Sequence, residues 1–364
     1  MKYRWKEKLL LKGLKNAINH NDKISEEHFN CMLALLNDIH ADKIDLPDNN
    51  YQSMYDYYSN EMEYINADIF DRCVDIFGIV KDEDDLYTKI KHSNITLKNK
   101  ELIELGYEMV ESLKDKKSLE IYKELVKHGN HYLHIVDDDL EDIHDDVYGI
   151  TYYDHTNEKP YVILKRRHTP YDIETFMHEV MHAIIYRYKD KDELVSDYFQ
   201  ELEGRFGERL ATQYMREHNM EKWANEIDAY NLQTVLYTSF QLYLNDTLFY
   251  TAKDNKFNIN KASSYIQTET PFKDAYLEDE DIPNICNING FDTITNIIDY
   301  LICLELSKKY DTPEQFAFIK QLGKFCNSEF FNTEMKTMFD FYTDNNKLLI
   351  EEKERLDKVK RVIK

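Results

Sequence analysis

Two histidines four residues apart, His178 and His182, flank a glutamate in Phe176-Met177-His178-Glu179-Val180-Met181-His182. On a helix, residues four apart share one face, one turn apart, so both imidazoles can meet a single Zn²⁺ at about 2.0 to 2.1 Å. Glu179 then stands beside the water that such an ion acidifies, which is the chemistry of metal-assisted hydrolysis. With 13 histidines and 69 acids in 364 residues, chance would produce this pattern with a frequency of roughly 0.04 if half the acids are Glu. A catalytic zinc takes a third protein ligand and keeps one position open. Two carboxylates qualify: Glu201, 19 residues after His182, and Glu226, 44 residues after it. A turn at Lys189 to Asp192 and a second helix from near Glu193 would return antiparallel and bring Glu201 beside His182. Glu226 would come from a third helix, and on the residues alone both stay open.

The elements that must hold these groups are legible around them. Residues 149–168, GITYYDHTNEKPYVILKRRH, are rich in Tyr, Val and Ile with Gly and Pro punctuation, and predict a small β-hairpin. Within it, Tyr161 to Leu164 reads as a strand that could pair with an extended peptide. Thr169-Pro170 predicts the start of the motif helix, with Thr as cap, Pro at the first helical position, and Asp172 and Glu174 at the positive end of the dipole. That helix should run to about Tyr188 and bury Ile173, Phe176, Val180, Ile184 and Ile185 on its other side. Residues 1 to about 135 read as successive amphipathic helices, for example Leu102, Leu105, Val110 and Leu113, then Leu119, Tyr122, Leu125 and Val126. The acidic run Val136 to Tyr148, preceded by His128, His131 and His134, lacks the glycine and carboxylate spacing of a calcium loop and reads as a solvated turn. A helix from about Phe339 to the end mixes charge signs and reads as solvated.

Composition narrows the fold class. Nine glycines and six prolines in 364 residues are too few for the turns of a sandwich, barrel or many-stranded sheet. The chain is expected to be mainly α: a zincin-like helical catalytic domain with a small antiparallel β-hairpin or sheet beside the HExxH helix. The expected division is an N-terminal helical region at 1–145 and a catalytic domain at 146–364, or one continuous unit. A net charge of −23 repels nucleic acid and anionic membranes. Five scattered cysteines fit neither a disulfide framework nor a thiolate cluster and point to a reducing compartment, the cytoplasm. The basic start has too short an apolar run for a secretory signal, and no apolar stretch reaches about 18 residues, so no membrane span is expected.

PYVILKRRHTPYDIETFMHEVMHAI resembles the active-site approach of the oligoendopeptidase F and thimet oligopeptidase family. SDYFQELEGRFGERLATQYMREH is similar to that family's next helix, in which the third zinc ligand is a Glu followed seven residues later by another Glu; Glu201 and Glu208 match that pair. The resemblance covers about residues 149–240, with a weaker helical match near Ile297 to Leu306. It implies Glu201 rather than Glu226 as third ligand, and one Zn²⁺ held by His178, His182 and Glu201. It also implies a helical shell that admits peptides and excludes folded proteins. In that family a His and Tyr pair from a late helix stabilises the oxyanion; Tyr300 is the match here, without an accompanying histidine. Other departures are Met181 where glycine is common, a shorter gap to the third ligand, and a shorter chain.

The expected activity is that of a zinc metallopeptidase cleaving short peptides, with Glu179 taking the proton of the attacking water and returning it to the leaving amine. Asp197 and Glu208 are candidates to orient the imidazoles. The acidic surface would steer basic peptides. A second reading is a long-gap zinc endopeptidase acting on a specific protein, since Asn225-Glu226-Ile227-Asp228-Ala229 resembles the ligand motif of the anthrax lethal factor type. A third is a helical binding protein that keeps the motif without turnover.

Overall fold

The computed structural model describes residues 67–87, 90, 93–127, 132–137, 148–154, 159–188, 201–253, 257–274, 276–278, 285, 290–322 and 349–357. The N-terminal helices before 67, His128, His131, most of the acidic run, the Lys189 to Asp192 turn, the helix start near Glu193, Asp197 and the Phe339 boundary lie outside the described residues. What is described is mostly helical with one small sheet.

The first described helices are α1 (Ala67–Asp75), a 3₁₀ turn (Ile76–Ile79), α2 (Asp84–Tyr87), α3 (Asn99–Ser112) and α4 (Lys116–Leu125). α3 buries Leu102, Gly106, Met109 and Val110, and α4 buries Ser118, Ile121, Tyr122 and Leu125. Both sets follow the i, i+3/i+4, i+7 rule of an amphipathic helix. Asp115 caps α4 by accepting the Ser118 amide at 2.9 Å, the usual role of an aspartate there.

Three strands follow, β1 (Leu133–Asp137), β2 (Gly149–Asp154) and β3 (Lys159–Arg166), in the spatial order β1-β3-β2. β2 and β3 form the expected hairpin, with Ile150 opposite Ile163 and Tyr152 opposite Tyr161. β1 was not legible as a strand; it pairs parallel to β3, Leu133 opposite Val162. The sheet is therefore mixed. This corrects the peptide-pairing expectation for Tyr161 to Leu164: β3 is the central strand, both its edges are occupied, and Pro160 to Arg166 are all buried. Among the described residues, the free edge nearer the motif helix is that of β2.

The turn from β3 into α5 (Tyr171–Tyr186) is built differently from the expectation. Thr169 makes no cap bond, and its hydroxyl is buried without a partner among the described residues. Asp172 orders the turn instead. Its carboxylate accepts the amides of Arg167 at 2.7 Å and His168 at 2.9 Å and the Nε–H of Arg166 at 2.5 Å. His168 bends the chain with φ 57°. α5 is buried on nearly every side, so it is a core helix covered by the sheet on one flank and by helices on the other.

α6 (Leu202–Glu217) returns antiparallel to α5: Glu201 and Glu203 lie beside His182, Glu208 beside His178, and Gly207 beside Met177. A Cβ at position 207 would stand 2.3 Å from the carbonyl oxygen of Met177. Glycine there lets the two backbones approach, and that closeness puts α6 carboxylates within reach of α5 imidazoles. α7 (Glu221–Thr251), α8 (Ile259–Glu269), α9 (Gly290–Lys309), α10 (Thr312–Leu322) and a helical segment at 349–357 complete the described chain. Phe206 of α6 stacks on Phe316 of α10 at 6.1 Å, and Phe176 of α5 meets Tyr122 of α4 edge-on at 6.4 Å. Each such buried ring contributes about 1.5 to 3 kcal/mol of apolar transfer. None of the described helices is long and apolar enough to cross a membrane.

Candidate metal centre

His178 and His182 leave α5 on one face, as the four-residue spacing requires, and their Nε2 atoms lie 3.0 Å apart. Glu201, the residue just before α6, which makes no side-chain cap bond to it, places Oε2 3.1 Å from His178 Nε2 and 3.7 Å from His182 Nε2. A tetrahedron with metal–ligand bonds of about 2.0 to 2.1 Å has edges of about 3.4 Å, and the three separations straddle that value. The donor set, two imidazole nitrogens and one carboxylate oxygen with the rest of the coordination sphere open, is that of a catalytic zinc site. Among the described residues, these three are brought together as expected, although Glu201 sits at the helix start and not two turns into it.

The groups behind the histidines fix their orientation. Nδ1 of His178 faces Oε1 of Glu208 at 2.9 Å, a carboxylate that accepts from an Nδ1–H and turns Nε2 toward the cluster. Arg205 holds Glu208 with Nη1 at 2.9 and 2.7 Å from its two oxygens, and reaches Asn296 at 2.8 Å with Nη2. Behind His182, Glu203 lies 3.7 Å from Nδ1, an ion-pair separation too long for a hydrogen bond. Burial presses both imidazole pKa values down, but the carboxylates win. Glu201 and Glu208 hold His178 well above its ordinary value, and Glu201 with Glu203 push His182 up to about 9. Burial would raise the Glu201 carboxyl, yet the two histidines hold it well below the usual carboxylate range. The cavity thus stabilises positive charge where the three donors converge.

Glu179 is aimed by the sheet. Thr151 of β2 donates to its Oε2 at 2.6 Å and lies 3.0 Å from its main-chain oxygen. Its Oε1 lies 2.4 Å from where a Cβ on Gly149 would stand, so glycine at that point leaves room for the carboxylate. Thr151, Glu203, Arg205 and Asn296 were missed in the sequence. Nothing in the local spacing of Thr151, Glu203 and Asn296 marks them, because their partners come from other elements, whereas Arg205 stands three residues before Glu208 on α6, an i, i+3 spacing that could have marked it.

Two sequence candidates are not brought to the cluster. Glu226 accepts the Ser93 amide at 2.7 Å, and its carbonyl accepts the Tyr171 hydroxyl at 3.3 Å. The backbone amide of a distant segment occupies the carboxylate that the long-gap reading needs. Tyr300 is 2% exposed and its hydroxyl is buried without a hydrogen-bond partner among the described residues. The charges that act on it are Glu352, Arg209, Arg355 and Arg205, with burial pushing its pKa up first. The ring is packed in the core among those charges. The preceding residue, Asp299, faces the cluster instead: it is fully buried, and burial followed by Glu203 and Glu201 holds its carboxyl well above the usual range.

No family profile and no curated protein matches the sequence. Solved structures do match in shape. A Bacillus anthracis strain Ames protein assigned as an oligoendopeptidase F superposes with a TM-score of 0.56 at 14% identity, covering 91% of this chain and 66% of that one. A Chlamydophila abortus protein assigned as a peptidase superposes with a TM-score of 0.53 at 13% identity, covering 84% and 60%. This chain spans less than two thirds of the length of either protein. At these identities the likeness is one of architecture, and the described chain has the fold of the oligoendopeptidase F peptidases.

Proposed function

We propose that the chain is a zinc-dependent peptidase that hydrolyses short peptides. The observation that carries this is the convergence of His178, His182 and Glu201 on one point with Glu179 held beside it by Thr151. His178, His182 and Glu201 would hold one Zn²⁺. When bound, the ion supplies Lewis acidity, which polarises a carbonyl and makes a proton of water easier to remove. Glu208 keeps the His178 proton on Nδ1, and Arg205 keeps Glu208 in place. Glu179 accepts the proton of the attacking water and delivers it to the leaving amine. Thr151 fixes one carboxylate oxygen and leaves the other for that transfer. The edge of β2 that is unpaired among the described residues offers main-chain hydrogen bonds to an extended peptide, recognition that depends little on sequence. Cys73 and Cys303 are buried free thiols, consistent with work in a reducing compartment such as the cytoplasm.

Metal analysis combined with a quenched-fluorescence peptide library tests the reading. Wild type and Glu226→Ala should hold about one zinc per chain and Glu201→Ala should lose it. Glu179→Gln should keep the metal and lose cleavage by about 10²- to 10⁴-fold. A zinc-free wild type after supplementation, or a zinc-loaded one that cleaves no peptide, overturns the proposal; the second result leaves the binding-protein reading.

A further inference from the structure

Arg167 stands out from the other arginines around the site. Arg166 pairs with Asp172 and reaches Asn99 and the carbonyl of Leu97, Arg205 pairs with Glu208 and reaches Asn296, and Arg209 pairs with Asp228 and reaches Ser307, so each of the three is neutralised by a carboxylate even though the Nε atoms of Arg205 and Arg209 have no partner among the described residues. The Arg167 side chain has one neutral hydrogen bond, from Nη2 to Thr175 Oγ1 at 3.0 Å. Its Nε is buried without a partner, and it pairs with no carboxylate among the described residues, in a chain with 69 acids against 46 Lys and Arg. An acid that senses it electrostatically, Glu174, makes no ion pair with it among the described residues and is instead hydrogen-bonded by Asn231 at 2.6 Å, with burial first and then Glu208 pushing its carboxyl up to about 8. The guanidinium is also rigid: its Cζ lies 3.9 Å above the Tyr148 ring and 5.0 Å from the Tyr171 ring centre. A planar cation held between two rings, with donors to spare, is prepared for a planar anion.

Its position relates it to the reacting groups. Thr175 precedes Glu179 by four residues of α5, a rise of about 6 Å. Tyr148 immediately precedes Gly149, against which the Glu179 carboxylate packs. β2 runs from Gly149 to Asp154, so a peptide laid antiparallel along its free edge has its C-terminal half at the Tyr148 and Arg167 end. At about 3.4 Å per extended residue, that offset places Arg167 roughly two residues beyond the bond aligned with Glu179.

We propose that Arg167 is a specificity determinant that binds a substrate carboxylate on the C-terminal side of the scissile bond, selecting short peptides whose α-carboxylate, or an acidic side chain, reaches it. This rests on the peptidase reading for the meaning of "scissile bond", while binding at Arg167 can be measured without turnover. The long-range field of the chain attracts cations, and Arg167 would reverse that preference at one point beside β2.

The test uses the zinc-loaded Glu179→Gln protein and fluorescein-labelled hexapeptides in three forms: free C-terminus, C-terminal amide, and Glu replaced by Gln at each later position. Anisotropy should show the carboxylate-bearing forms binding roughly tenfold or more tighter than their neutral counterparts. Loss on amidation identifies the α-carboxylate as the anion, and loss on Glu to Gln replacement identifies the side chain. Adding Arg167→Met should abolish the discrimination, and Arg167→Lys should keep part of it, with circular dichroism reporting the fold. If Arg167→Met is unfolded, the intermediate preference of Arg167→Lys carries the test. Equal binding of acid and neutral forms with Arg167 present, or discrimination undiminished in both variants, overturns the proposal. The wild-type protein, given the same peptides, separates the two readings: discrimination without cleavage sinks the peptidase assignment alone, and cleavage without discrimination sinks Arg167 alone.

Discussion

His182 carries a consequence measurable without substrate. Its folded pKa is raised to about 9 by Glu201 and Glu203 against the burial that lowers it, from an ordinary value near 6.5. A raised imidazole pKa adds stability that is complete below the unfolded value and lost as pH climbs through the folded one. His178 is raised further by Glu201 and Glu208. The metal-free protein should therefore lose stability between about pH 6.5 and 9, read as a falling urea midpoint. Added zinc should reduce the fall, because the ion takes over compensation of the carboxylates and binds the deprotonated imidazoles. A flat or rising midpoint across that window would refute the charge arrangement.

Among the elements, the sheet and α5 are coupled through one glycine and one threonine. A Cβ at Gly149 would fall 2.4 Å from Glu179 Oε1, so Gly149→Ala must move either β2 or the carboxylate. Displacement of a reacting group by about 1 Å costs on the order of 10²-fold in rate. Gly149→Ala is expected to lower kcat by about that factor while zinc content stays at the wild-type level, since no metal donor lies on β2. Steady-state kinetics with metal analysis on the same preparation checks both halves. Concurrent loss of metal would mean that β2 supports the whole centre and not Glu179 in particular.

At the scale of the whole molecule, a buried charge network ties the 349–357 segment to the helices around the site. Asp228 is fully buried and accepts from Arg209 at 2.9 Å, from Arg355 at 2.6 Å and from Arg216. Glu352 adds a second carboxylate, which Arg355 engages at 2.7 Å. Removing one member of a buried ion group leaves its partners uncompensated, at a cost of about 3 to 5 kcal/mol. Asp228→Ala should therefore destabilise the protein by that amount in chemical denaturation, far more than any exposed pair such as Lys100 with Glu104. A loss under about 1 kcal/mol, the range of surface ion pairs, would refute the network's role.

What the sequence determined by itself was local. The four-residue spacing of His178 and His182 needs only a helix to act. The β2–β3 hairpin is readable because alternation and turn residues lie within one short stretch, and the shortage of Gly and Pro sets a helical class. The choices that tertiary structure made are all pairings between distant segments. Glu201 and Glu226 look alike as acids near a helix start. The close approach of α5 and α6 at Gly207 brings one of them to the histidines, while the Ser93 amide engages the other. β1 joins the sheet through parallel pairing whose partners lie 29 residues apart, and by doing so it turns Tyr161 to Leu164 from an edge into a centre. Tyr300 and Asp299 are neighbours on α9, about 100° apart around it, and only the packing of that helix puts Asp299 in the field of Glu203 and Glu201 and Tyr300 in that of Glu352 and Arg209. Helical periodicity shows which residues share a face, but which neighbour that face meets depends on the summed burial of every element around it.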